Sequence, residues 1–170
     1  MTFKMEKNYK IIENFLPKDK FLELQNLLFS CEFPYFYNKT LNGKHKEEDN
    51  TSYFTHTLYA QHLSYIASNY YSNFRFITNM LDIKSSLRMK VNLYPKTDII
   101  QEHAPHIDYD FEHKGFILSM NTCNGFTILD DGTKIDSIEN RALLFNPSKL
   151  HHSTTCTDEK VRINIILNYL

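Results

Sequence analysis

The stretch SLRMKVNLYPK, residues 86–96, is where the fold can be read first. Its polar side chains Arg88, Lys90, Asn92 and Tyr94 alternate with Leu87, Met89, Val91 and Leu93. A period of two is what an extended strand needs in order to bury one face and turn the other away. Before about residue 85 the apolar period is longer, and after it the period of two recurs.

Downstream, GFILSMNTC and FTILDD meet at Asn124-Gly125, a dipeptide that predicts a tight hairpin. Asp130-Asp131-Gly132 predicts a second turn into TKIDSI, and RALLFNPS and VRINIILNYL supply two further strands. Upstream, YKII predicts a short strand. Pro17 then precedes a helix marked by Phe21, Leu22, Leu24, Leu27 and Leu28. A second helix is expected through LYAQHLSYIASNYYSNFRFITNMLD, with Leu58, Leu63, Ile66 and Tyr70 on one side. Between them NGKHKEEDNTS, residues 42–52, is polar throughout, an exposed connection that would also serve as a lid. Short strands behind a helical first half predict a mainly β protein, a sandwich or jelly-roll packed on helices.

At 170 residues the chain fits one domain with a real core, and 42% hydrophobic content argues for a folded one. A net charge of -1 offers no basic stripe for nucleic acid. Cys31, Cys123 and Cys156 are odd in number and lack a CxxC pair, so neither a disulfide framework nor a zinc knuckle is expected. A cytoplasmic location follows from that, from the absence of a secretory core in MTFKMEKNYK, and from the lack of an apolar run long enough to span a bilayer. Cys123 and Cys156 read as packed thiols.

The chemistry concentrates in EHAPHIDYDFEH, residues 102–113. Residues i and i+2 of an extended segment point the same way, so His106 and Asp108 can converge on one ion. A third ligand is expected from NPSKLHHSTT, where His151 and His152 point in opposite directions and only one can serve. Two imidazoles and one carboxylate with open positions is the arrangement of non-haem Fe(II) oxygenases. Arg162 follows on the last strand with Asn164 on its face, and a guanidinium inside a barrel needs an anionic partner, such as a dicarboxylate. His103 and His113 read as solvated neighbours, and Asp110 as a loop residue or substrate contact. Lys90 and Asn92 share the face of Tyr94 and could line the same cavity.

The order HxD, distant His, then Arg about ten residues on resembles the Fe(II)- and 2-oxoglutarate-dependent dioxygenases, and most closely their prolyl-4-hydroxylase-like group. YKIIENFLPKDKFLEL, LRMKVNLYPK and NRALLFNPSKLHHSTTCTDEKVRINIILNYL carry the likeness over most of the chain. It implies a double-stranded β-helix (jelly-roll, cupin-like) as a single domain over 1–170, with a strand and bracing helices in 1–84 and the core in 85–170. It implies Fe(II) held by His106, Asp108 and His151, since related patterns place the ligand before x-Ser-Thr-Thr. It also implies 2-oxoglutarate held at its distal carboxylate by Arg162, with Tyr94 and Asn164 nearby, and O2 as the third reactant. The expected outcome is hydroxylation of a small-molecule or peptidyl substrate, with 2-oxoglutarate converted to succinate. NGFTILDDG lacks the Gly-Gly-Glu run of many prolyl hydroxylases, which counts against peptidyl proline. The rival expectation is a non-catalytic, cupin-like metal-binding jelly-roll.

Overall fold

The computed structural model describes residues 8–38, 52–61 and 68–170. Among these residues ten strands and two helices follow one another as β1 (Tyr9–Ile12), α1 (Lys18–Leu28), β2 (Phe36–Asn38), β3 (Tyr53–Ala60), α2 (Tyr71–Met80), β4 (Ser86–Pro95), β5 (Lys114–Ser119), β6 (Phe126–Ile128), β7 (Lys134–Asp136), β8 (Ala142–Phe145), β9 (His152–Ser153) and β10 (Val161–Tyr169). Seven strands form one sheet in the order β1-β8-β5-β10-β4-β3-β2, and three form a second, β7-β6-β9. Pairing is antiparallel throughout. Residues 101–106 extend the smaller sheet through backbone bonds to 151–155. This is a double-stranded β-helix.

Alternation assigns the two faces of the large sheet. Met89 and Val91 of β4, Phe116 and Leu118 of β5, and Ile163, Ile165 and Leu167 of β10 pack in one buried cluster with Phe21, Leu24 and Leu28 of α1 and Phe74 and Ile77 of α2. Burying each such side chain contributes about 1.5–3 kcal/mol, and this layer is the principal core. The opposite face carries Arg88, Lys90, Asn92 and Tyr94 on β4. In register across from them stand Asn168, Ile166, Asn164 and Arg162 of β10. These residues look into the space between the sheets, so the polar stripe of 86–96 faces an interior and not bulk water.

Two connections are tied by side chains. Asn140, at a left-handed φ of 58°, accepts from the Leu16 amide and donates to the Leu16 carbonyl, both at 2.9 Å. That pins the start of α1 to the turn before β8. Gly132, at φ 80°, makes the β6–β7 turn that DDG predicted.

Two expectations are corrected. The helix expected from residue 58 begins at Tyr71; Leu58, wholly buried, lies on β3 instead. YFTHTLYA is aromatic and β-branched, and the edge of β4 offers it a ladder. Leu63 and Ile66 lie outside the described residues, as does the 42–52 loop apart from Ser52. Asn124-Gly125 makes no hairpin, because β5 and β6 belong to different sheets. The dipeptide sits at the crossover between them. Asn124 is bonded to Thr157 and Asp158, and a Cβ on Gly125 would come within 2.8 Å of Arg162 Cδ and 2.7 Å of the Thr155 carbonyl. Close backbone approach, not turn geometry, is what this glycine supplies.

Candidate metal centre

His106 and His151 are direct cross-strand partners. Each amide donates to the other's carbonyl, at 3.0 and 2.9 Å, so both side chains leave the pair on one side. Asp108 follows at a bend fixed by its own amide donating to the Pro147 carbonyl at 2.9 Å. One donor atom from each of the three residues lies within 4.8 Å of the others. His106 Nε2 and His151 Nε2 each stand 3.9 Å from a different oxygen of Asp108. Nδ1 of His151 lies 3.0 Å from the Lys149 carbonyl and Nδ1 of His106 lies 3.3 Å from that of Ala104. Carbonyls accept only, so these contacts put the proton on Nδ1 and leave both Nε2 lone pairs turned to the common centre.

The carboxylate is held as firmly as the rings. Arg88 donates to Asp108 Oδ1 and Asn168 Nδ2 to Oδ2, both at 2.8 Å. Burial alone would raise the Asp108 pKa, but the charges of Arg88, Lys90 and His151 and the Asn168 bond outweigh it and keep the group ionised. Burial, with the charge of His151 added, pushes His106 down to about 4, and burial likewise lowers His151. Two neutral imidazoles beside an anionic carboxylate are the protonation states that a divalent cation requires. His152 points elsewhere, 3.3 Å from Glu102. His103 and His113 are not solvated as expected: both are buried, His103 against Tyr94 and His113 within reach of Asn168. Asp110 lies on the exposed loop beyond Asp108.

The centre opens into a cavity of about 630 Å³. Tyr94, Thr127, Ser153 and Asn164 line its inner end, and Arg162 lies directly behind them, 1% exposed. Its guanidinium donates to Ser137, Ser153, Thr127 and the Thr154 carbonyl and lies 5.7 Å from the Tyr94 ring. None of these partners is charged. Among the described residues no carboxylate pairs with Arg162, neither Asp158 nor Glu159 nor another, and burial lowers its pKa. A hydroxyl that accepts from Arg162 still has its own proton to give, and those of Ser153 and Thr127 stand on the cavity wall. Asn164 Oδ1 is buried there with no partner. Buried positive charge, with hydroxyls on the wall between it and the cavity, fits a carboxylate-bearing guest, while the free Asn164 Oδ1 would take a donor. The donor set beside them, two imidazoles and a carboxylate with an open side, fits Fe(II).

The residues that hold the site together were less visible in the sequence. Arg88 and Asn168 belong to the alternating polar positions of β4 and β10, which was the available signal. Nothing marked Ser153 or Thr127. Cys123, Cys156 and Asp158 also cluster within 4.8 Å. There the Asp158 carboxylate accepts the Asn124 amide, and burial, with Cys123 alongside, pushes the Cys156 thiol up to about 11, as befits packed thiols.

No protein-family model and no curated protein matches the chain. Solved structures do. A prolyl hydroxylase from Trichoplax adhaerens, in complex with a hypoxia-inducible-factor peptide fragment, superimposes with a TM-score of 0.71 at 17% identity, over 97% of this chain and 84% of that one. A 2OG-Fe(II) oxygenase family protein from Burkholderia pseudomallei gives 0.66 at 11%, over 96% and 85%. A prolyl-4-hydroxylase from Pseudomonas putida gives 0.62 at 14%, over 96% and 93%. The chain has the fold of the 2OG-Fe(II) oxygenases. No helix among the described residues is long and apolar enough to cross a membrane.

Proposed function

We propose that this chain is an Fe(II)- and 2-oxoglutarate-dependent oxygenase, one domain over residues 1–170, that hydroxylates a small-molecule or peptidyl substrate. The observation that carries the reading is one cavity with two ends: three converging metal donors at one, and an uncompensated buried guanidinium at the other. Only the first would be needed by a non-catalytic metal-binding jelly-roll. Iron, bound with 2-oxoglutarate and O2, supplies oxidative decarboxylation to succinate and CO2 and the oxidation of a substrate C–H bond.

The chain's part is to bind and to aim. His106 and His151 offer Nε2 because Nδ1 is engaged by carbonyls, and Asp108 offers a carboxylate that Arg88 and Asn168 keep from rotating. Arg162 supplies the charge for the distal carboxylate of the co-substrate, and Ser153 and Thr127 relay it through their hydroxyls. Tyr94, its oxygen bonded to Asn92 Nδ2 at 2.8 Å, and Asn164 complete that end. The apolar residues Ile117, Phe145 and Ile166 on the cavity wall help exclude water from the reacting centre. The structural neighbour with a bound peptide supports a peptidyl substrate as one possibility. Free thiols at all three cysteines support a reducing, cytoplasmic setting.

The test is anaerobic addition of Fe(II) and then 2-oxoglutarate, following the weak visible charge-transfer band of the chelate. A band in the wild type that is lost in His151→Ala and weakened in Arg162→Leu supports the assignment. Absence of the band in the wild type sinks it.

A further inference from the structure

The cavity holds more basic side chains than the proposed cofactors use. Its lining carries Arg88 and Lys90 against a single carboxylate, Asp108, and Arg162 lies behind its inner end. Arg88 is spent on Asp108 and Asn168, although its Nε is buried without an acceptor. Arg162 is the anchor for the distal end of the co-substrate. Lys90 remains. Among the described residues its ammonium makes no hydrogen bond and no ion pair, yet it stands on the inward face of β4 between Arg88 and Asn92 and lines the cavity.

Position along the strand separates Lys90 from the anchor. Arg162 is in register with Tyr94, whereas Lys90 is in register with Ile166, two inward-facing steps further toward the metal end. Two such steps span about 13 Å of strand. Lys90 therefore belongs to the metal end, where Asp108 feels its charge. Adding the charges of iron (+2) and 2-oxoglutarate (-2) leaves the balance unchanged. An ammonium desolvated there without a partner is costly, and the cost is recovered when an anion enters.

We propose that Lys90 is a specificity-determining residue, and that the primary substrate carries an anionic group, a carboxylate or a phosphate, close to the position oxidised. This rests on the oxygenase reading above and deepens it: an acidic substrate is selected, and a neutral prolyl side chain with no acidic neighbour is disfavoured.

The test uses the full chain loaded anaerobically with Fe(II) and saturating 2-oxoglutarate, so that Arg162 is occupied. Probe binding is then measured calorimetrically for three matched pairs: propionate against propionamide, N-acetyl-aspartate methylamide against its asparagine counterpart, and O-phosphoserine against serine. The expected result is that at least one anionic member binds about 10-fold tighter than its neutral partner. In Lys90→Met that preference falls to about twofold or less, while Lys90→Arg retains it. An unchanged chelate band in both variants shows an intact site. No anionic preference in the wild type, or an equal preference in Lys90→Met, overturns the inference. A variant that loses 2-oxoglutarate affinity instead makes Lys90 a co-substrate contact, which overturns it too. Failure of the wild type to form the chelate band rejects the oxygenase reading itself.

Discussion

Gly125 and Arg162 are in contact: a methyl group added to the glycine would come within 2.8 Å of Arg162 Cδ and within 2.7 Å of the Thr155 carbonyl. The crossover between the sheets thus forms one wall of the guanidinium's slot. Gly125→Ala must displace either the backbone carbonyl or the arginine, and the arginine side chain moves more easily. The expected outcome is a rise of about 10-fold or more in the 2-oxoglutarate dissociation constant with Fe(II) affinity unchanged, read from titrations of the visible band.

Arg88 and Asn168 clamp the two oxygens of Asp108. Removing either should leave the carboxylate free to rotate and, for Arg88, less firmly ionised. Asn168→Leu and Arg88→Met are each expected to weaken Fe(II) binding by about 10–100-fold. Competition against a fluorescent chelator measures this without turnover. An unchanged affinity in both would mean that the clamp does not matter.

Acid should destabilise the metal-free protein before it protonates the folded site. Burial holds His106 at about 4, below its ordinary value, and His151 is lowered in the same direction. An unfolded chain therefore takes up these protons first as pH falls. Stability is full above about 6.5 and is lost as pH drops toward 4, of the order of 3 kcal/mol for His106 alone. Asp108, lowered too, adds its loss only below the usual carboxylate range. Urea midpoints between pH 7.5 and 4.5 should slope accordingly, and His106→Asn should flatten the curve.

Asn140→Ala removes both bonds to Leu16 from a buried position and puts an alanine at a left-handed φ. A loss of about 2–4 kcal/mol is expected in urea unfolding, with the metal centre unperturbed once folded. Asn140→Gly should recover only the backbone part.

How far the sequence could be read depends on the range of each signal. Alternation in 86–96 and 161–169 is local and marked β4 and β10, including the polar face that turned out to be the cavity wall. The spacing of His106, Asp108, His151 and Arg162 marked four side chains that the structure brings to one cavity or just behind it. What escaped was decided by partners distant in sequence. Leu58 is a strand residue because β4 offers its edge, not because its own neighbourhood forbids a helix. Asn124-Gly125 has hairpin chemistry, but Thr157, Asp158 and Arg162 claim it. His113 looked solvated beside so many charges, yet the fold carries it inward to Asn168.

The placement of β10 bears on how the protein is made. It lies between β4 and β5 at the middle of the large sheet, yet it follows both in the chain. During synthesis those two strands emerge with facing edges unpaired, and the gap stays open until Val161–Tyr169 leaves the ribosome. Open edges of this kind invite pairing with other nascent chains. Slow, cool expression and edge-shielding chaperones should thus raise the yield of folded protein.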